Sequence, residues 1–494
     1  MAGTARPVSS SETGNVWMDG VLWTRKWSSG QEPTVISAYI AGQGGTEFVG
    51  PDDSVVQAGV PTGRELDAMT SAMTSFEQVC GLRFRTVASE ADADLIWASV
   101  GNKDAGGDGI LGWAWLPGTA YSTAYGDEQS MVSINHDAYF PAKGAEALVR
   151  GGFDYCTFIH ELGHAMGLSH SHDDWDGTGY FPGAKSDTDI GEFGMNQGVF
   201  TMMGYNDGWQ TAPEGLSPSD TWGYQATPMA IDIAALQKLY GANTTARQGG
   251  DTYTLPDADR IGTFYSCIWD TGGADLIVGA QDRANVIDLR AATLRAEPGG
   301  GGWVSHATGV HGGVTIAHGV VIENGRGGAR DDMMTGNSAG NNLAGLGGND
   351  RLLGRVGNDV LVGGRGDDFL YGGSGDDRLV GGKGADFMNG GEGRDVFVFG
   401  IAESPAGPGQ DRIDGFERDR DVINLSGIDA NGDGLGEGTF RLDTNDDFAR
   451  AEIRQVASKT GLVLEMNVDG DAEADMSLLL LGVGGPLSVT DFVL

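Results

Sequence analysis

His160-Glu161-Leu162-Gly163-His164-Ala165-Met166-Gly167-Leu168-Ser169-His170 is the stretch from which the rest of the chain can be read. His160 and His164 are one helical turn apart, so both imidazoles project from one face toward a single metal. Glu161 is angularly adjacent, which places its carboxylate beside a metal-bound water without making it a ligand. Ile159, Leu162 and Met166 lie on another face and can bury the helix against a sheet. Gly167 tolerates the positive φ of a sharp turn, which would return His170 as a third ligand. Three protein ligands leave a fourth position open, the mark of a catalytic rather than a structural zinc. The expectation is one Zn²⁺ on His160, His164 and His170, with Glu161 as the base. Of the other histidines only His172 stands close enough to compete as a ligand.

The spacing with Gly167 and His170 is that of the metzincins, and a Met-containing turn is expected downstream. Thr201-Met202-Met203-Gly204-Tyr205 supplies it. The resemblance implies that Met203 forms an apolar floor beneath the ligands. It also implies that Tyr205 sits on or near the zinc, as an oxyanion donor and an optional further ligand. Ile233-Ala-Ala-Leu-Gln-Lys-Leu-Tyr-Gly-Ala-Asn243, Trp269-Asp-Thr-Gly-Gly-Ala-Asp275 and Ile316-Ala-His-Gly-Val-Val-Ile-Glu-Asn324 each resemble serralysin segments, and the likeness runs from about residue 34 to 494. It implies a twisted sheet over a zinc helix followed by a parallel β-roll. By the same likeness Asp270, Gly272, Gly273, Asp275 and Glu323 are calcium ligands. Gly112, Trp113, Ala114 and Trp115, within Gly109–Gly118, are then the edge strand that pairs with substrate backbone. Ser171 stands where serralysins usually have Pro, and the loop from Asp173 to Gly179 is unusual. Cys156 falls on the His160/His164 face, where a buried bystander is expected rather than a fourth ligand.

A second pattern governs the C-terminal half. Asp350, Asp359, Asp368, Asp377, Asp386 and Asp395 recur every nine residues, each ending a unit such as Gly363-Gly364-Arg365-Gly366-Asp367-Asp368. Asn341 and Asp332 extend the register upstream. In this nonapeptide repeat six residues turn and three form a short strand with its middle residue inward. Stacked turns gather carboxylates and carbonyls into hard oxygen cages for several structural Ca²⁺ ions. Asp429-Ala-Asn-Gly-Asp-Gly434 begins like an EF-hand loop, but its twelfth position is Phe440 and the reading fails. Asp469, Asp471 and Asp475 read as a solvated turn.

Composition agrees. With 494 residues, 84 of them Gly, and a formal charge of -38, the chain favours cations and disfavours nucleic acid and anionic membranes. Cys80, Cys156 and Cys267 are too far apart for a disulfide framework, and no apolar run is long enough for a membrane helix. The N-terminus has no apolar signal core, whereas Asp491-Phe-Val-Leu494 resembles the export signal of serralysins.

The expected fold class is therefore α+β: a metzincin zinc-protease domain with a twisted sheet and active-site helix, followed by an all-β parallel β-roll. Strands are expected at 34–40 and 94–100, and helices over 63–79, about 145–168 and 228–240. Residues 1–18 read as a flexible leader or short pro-segment, 19–245 as the protease domain and 246–494 as the calcium-bound domain, with repeats over about 327–398. The function read from this is a secreted zinc endopeptidase acting by Glu-assisted attack of zinc-bound water. Its expected partners are protein or peptide substrates, the type I secretion machinery and a proteinaceous inhibitor, with no nucleic acid, no membrane insertion and a monomeric state. The alternative is a calcium-dependent surface or adhesive protein whose zinc domain is inactive. An intact Glu161 argues against that.

Overall fold

The computed structural model describes residues 4–7, 13–30, 32–42, 47–49, 55–105, 110–117, 129–139, 145–173, 179–400, 404–407, 409–430, 438–444, 447–471 and 473–494. Parts of the leader, of the 109–118 and 173–179 stretches and of the 429–434 loop lie outside these residues.

A five-stranded sheet carries the N-terminal half. Its strands are β1 (Thr34–Ile40), β2 (Leu82–Thr86), β3 (Leu95–Val100), β4 (Gly112–Ala114) and β5 (Ser130–Asn135), in the order β2-β1-β3-β5-β4. Neighbours are parallel except β4, which runs antiparallel to β5 and forms the edge. β3 and β5 are buried along their whole length because both faces are covered. Successive residues alternate between two cores: Leu95 and Trp97 enter the main one, while Ile96, Ala98 and Val100 join Trp115 and Met131 in a smaller one.

Helix α1 (Gly63–Val79) covers one face. Thr62 and Glu65 close a reciprocal cap at its start, and Met69, Ala72, Met73 and Phe76 form its buried stripe. Helix α2 (Phe153–Ala165) packs against α1, β4 and β5. The sequence suggests one helix from about 145, but Ala145–Leu148 is a separate 3₁₀ turn. The break is at Gly151, whose φ of 87° is left-handed and where a Cβ would lie 2.5 Å from the Thr263 carbonyl oxygen. Helix α3 (Ala230–Tyr240) starts two residues later than expected and ends at Gly241 with φ 75°.

Within the stretch read as a flexible leader or short pro-segment, the described residues include ordered structure. Thr4–Pro7 pairs antiparallel with Arg25–Ser28, and the fully buried Trp17 donates its indole N–H to the Arg295 carbonyl at 2.8 Å. An apolar ring in a polar segment gives no periodic signal. The C-terminal sheets also reach back beyond residue 245, since Tyr224–Gln225 pairs in parallel with Phe264–Tyr265.

From Met333 to Val398 successive nonapeptides alternate between two parallel sheets, so in-sheet partners are 18 residues apart, as in Asn342↔Val360↔Arg378. Leu343, Leu361 and Leu379 from one sheet and Leu352, Leu370 and Met388 from the other are fully buried between them. The observed strands run six residues rather than three because the turn glycines also pair, as Gly364↔Gly382 does. Phe492–Val493 closes one sheet beside Val422–Asn424.

Candidate metal centre and substrate cleft

α2 presents His160 and His164 from one face, and the chain then reverses at Gly167, whose φ is 95°. That turn brings His170 back, as the spacing requires. Each imidazole is fixed through Nδ1: His160 against the Met202 carbonyl at 2.8 Å, His164 against the Leu168 carbonyl at 2.7 Å, and His170 against Asp173 Oδ2 at 2.7 Å. These acceptors take the Nδ1 protons and leave the Nε2 lone pairs directed inward. The three Nε2 atoms are 3.1, 3.0 and 3.2 Å apart. Nitrogens about 2.0–2.1 Å from a tetrahedral zinc lie about 3.3 Å from one another, so this donor set fits that ion. Three facing lone pairs repel unless a cation lies between them. Burial also lowers the pKa of His160 to about 3 and that of His164 well below its usual value, which keeps both neutral and able to ligate.

Glu161 follows on the same helix. Its Oε2 is buried without a hydrogen-bond partner, and burial raises its carboxyl to about 8. The Tyr205 hydroxyl stands 3.1 Å from His170 Nε2, and burial raises its pKa, so it remains a donor. His172 stacks on His170, lies beside the Tyr205 ring and belongs to a second donor group with His170 and Asp173. Its ring nitrogens do not join the His160–His164–His170 set.

Met203 is fully buried and packs below Gly163, where a Cβ would lie 2.7 Å from its sulfur. The Met-turn is held by a residue the sequence reading missed. Asp232, on the first turn of α3, accepts from Thr201 Oγ1 at 2.7 Å, from the Met202 N–H at 2.7 Å and from the Met229 N–H at 2.9 Å. Met202 in turn supplies the carbonyl that orients His160. An acidic residue in the first helical turn usually signals only a cap, which hid this second role.

A cavity of about 400 Å³ opens beside Glu161, lined by Leu111, Gly112, Phe153, Cys156, Tyr205 and Asp207 among others. β4 forms its rim, and only Gly permits that approach: a Cβ on Gly112 would lie 2.9 Å from Thr157 Cγ2 and 3.1 Å from Glu161 Cγ. Trp113 packs against Trp115, and Ala114 pairs with Val132. Cys156 is buried in the wall, with its thiol toward the Gly152 and Gln225 carbonyls rather than in the histidine set. All three cysteines are free and buried.

The repeat aspartates form a ladder. Asp350 Oδ1 accepts the Asp332 N–H at 2.7 Å, Asp368 that of Asp350, Asp377 that of Asp359 and Asp386 that of Asp368, the last three each at 2.8 Å. Asp395 repeats the pattern with Asp377 at 3.0 Å, and Asp359 with Asn341 at 2.7 Å. The second oxygens of Asp350, Asp359, Asp368, Asp377 and Asp395 are buried with no hydrogen-bond partner. They lie close over the turn glycines; a Cβ on Gly363 would be 2.3 Å from Asp368 Oδ2 and 2.6 Å from the Gly381 carbonyl oxygen. Burial raises Asp350 and Asp377 to about 7 and Asp368 to about 8. Unpaired buried oxygens beside carbonyls suit a hard cation such as Ca²⁺.

Upstream, Asp251, Asp270 and Asp275 bring carboxylate oxygens within 4.8 Å of one another, and Asp251 is an addition to the residues read from the sequence. Gly272 and Gly273, with φ 138° and 145°, shape this turn, and Glu323 Oε2 accepts the Asp275 N–H at 2.9 Å. Asp332 holds the Asn285 N–H at 2.6 Å at the first rung of the ladder.

Two family profiles match the chain: peptidase M10 serralysin C terminal over residues 230–494, and matrixin over residues 56–176. Among individual proteins, the chain is 31% identical to metallopeptidase AprA of Pseudomonas marginalis, over 55% of this chain and 53% of that protein. It is likewise 31% identical to serralysin of Proteus mirabilis, over 52% of this chain and 48% of that protein. Serralysin B of Dickeya chrysanthemi is 34% identical over 36% of this chain and 35% of its own length. The chain thus spans about half the length of the curated relatives it matches most extensively. Among the described residues no helix is long and apolar enough to cross a membrane.

Proposed function

The chain belongs to the peptidase M10 family with the serralysin C-terminal region, and from that premise we propose that it is a secreted zinc endopeptidase stabilised by calcium in its β-roll. The observation that carries this reading is the triangle of His160, His164 and His170 Nε2 atoms, each imidazole fixed through Nδ1, with Glu161 in the adjoining cavity. When bound there, zinc supplies Lewis acidity at a scissile carbonyl and lowers the pKa of water.

The protein's own groups do the rest. β4 offers edge backbone, so an extended peptide can add to the sheet with little regard for its side chains, while the 400 Å³ cavity receives one of them. Glu161 takes the proton of the attacking water and delivers it to the departing amine. Tyr205 donates to the carbonyl oxygen as charge develops there. The Asp ladder takes up calcium outside the cell, and the C-terminal residues engage a type I exporter.

Casein digestion tests the reading. It should cease in 1,10-phenanthroline and return with zinc, while Glu161→Gln keeps stoichiometric zinc and loses nearly all turnover. Digestion indifferent to chelation, or near-normal turnover in Glu161→Gln, would falsify it.

A further inference from the structure

A second cavity, of about 630 Å³, lies where the end of α1 and the start of β2 face the strand Phe264–Ile268. It falls at the seam between the segments that the two family profiles match, and none of the groups assigned above lines it. Its charge is opposite to that of the molecule. In a chain with 31 basic and 69 acidic residues, Arg83, Arg150 and Arg247 reach it from three separate segments, against one carboxylate, Glu77. That carboxylate is engaged, since Glu77 Oε1 accepts the Phe84 N–H at 2.6 Å. Cys267 adds no charge, because burial pushes its thiol up to about 12.

The three arginines differ in what they lack. Arg83 donates to the Leu82 and Glu77 carbonyls at 2.6 and 3.0 Å. Arg247 is exposed at the mouth, held in a left-handed conformation (φ 49°) with its guanidinium 5.1 Å from the Tyr253 ring. Arg150 lies 4.9 Å over the Phe264 ring and has only a 3.5 Å contact to the Ala226 carbonyl. Its Nε–H is buried with no acceptor, and among the described residues no carboxylate stands within 4 Å of it. Arg150 thus lines the cavity with its guanidinium held by one long contact, and a cation so weakly engaged gains from an anionic ligand beside it.

Carboxylate is the complementary group, since its two oxygens match the guanidinium fork. Phe264, Tyr253 and Trp269 give the same cavity aromatic walls, and the Tyr253 hydroxyl is already donated to Asp270. The volume lies within the range of small-molecule sites, which favour seams between domains. We propose that this cavity binds a small aromatic carboxylate, its carboxylate on Arg150 with Arg247 at the mouth and its ring against the aromatic wall.

Calorimetric titration of the full chain, loaded with zinc and calcium and with its cleft saturated by a peptide hydroxamate, tests this. 3-Phenylpropionate should bind with a sub-millimolar Kd, while 3-phenylpropan-1-ol and acetate at equal concentration should give no saturable heat. Arg150→Gln should weaken binding by about 10- to 100-fold, the scale of a hydrogen bond to a charged group. Arg150→Lys should fall between, and Arg247→Ala should weaken it severalfold. If Arg150→Gln fails to fold by circular dichroism, the Lys and Arg247 variants decide. Equal binding of acid and alcohol, equal binding of acetate, affinity unchanged in the variants, or heat that disappears with hydroxamate present would each overturn the assignment.

Discussion

Asp368 stands in the middle of the aspartate ladder, where one substitution should have opposite effects with and without calcium. Its Oδ1 accepts the Asp350 N–H at 2.8 Å, a bond that Asn can keep, while its Oδ2 is buried without a donor. Burial, then the charges of Asp386, Asp350 and Asp367, raise its carboxyl from 3.8 to about 8. Because the folded-state value is raised, the calcium-free fold gains full stability from this group below the ordinary carboxylate range. It loses that stability as pH rises through about 8. A rise of that size would correspond to about 5–6 kcal/mol, and relaxation of the buried ladder around the charge reduces this to about 2–3 kcal/mol. Asp368→Asn removes the charge. In EGTA at pH 8.5 the β-roll's own transition in the full chain should therefore lie about 5–10 °C higher than in wild type, with little difference at pH 4. In millimolar calcium the order should reverse, because the variant lacks a ligand oxygen. Thermal melts followed by circular dichroism in the four conditions decide the matter. A variant destabilised equally in EGTA and in calcium would refute the reasoning, since Asp368 would then act only as a hydrogen-bonding wedge.

Tyr205→Phe should cut turnover by about 10²-fold with zinc retained, whereas His170→Ala should lose zinc; equal metal loss in both would make Tyr205 a structural residue. Asp232→Ala strands the Thr201 hydroxyl and the Met202 and Met229 N–H groups, so chemical denaturation should show a loss of about 3–5 kcal/mol, and a loss below about 1 kcal/mol would remove Asp232 from its place under the Met-turn. Gly163→Ala gains about 1 kcal/mol of helix propensity but drives a methyl toward the Met203 sulfur at 2.7 Å. Its expected result is faster zinc release, read with a chromogenic chelator, and an unchanged rate would show that the Met-turn yields freely.

What the sequence disclosed follows from periodicity and spacing. The Gly63–Val79 helix and the Thr34–Ile40 strand are found at the residues expected, because each carries an uninterrupted period and clear end signals. The histidine set was legible because one helical turn and one glycine dictate where its atoms meet. The break at Gly151 was not, since it depends on a Thr263 carbonyl more than a hundred residues away. Asp232 escaped for a related reason, since it acts on His160 only through Met202, thirty residues away, whereas Asp173 is three residues from His170 and gave no signal because it lies in a loop with no periodic pattern. The buried Trp17 likewise owes its place to the Arg295 carbonyl, far along the chain.

The alternation of nonapeptides between two sheets also limits how such a chain can change length. Each Asp binds the backbone N–H found 18 residues earlier, and each strand pairs with the one 18 residues on. Inserting nine residues would send every later unit to the opposite sheet, where the strands closing the roll, Asp411–Asp414 and Met476–Leu481, would meet the wrong neighbour. Inserting eighteen preserves every partner and adds one full coil. Gene duplication or deletion within this region should therefore be tolerated in steps of two repeats and selected against in steps of one, so that related chains differ in the parity-conserving count of their coils rather than in single units.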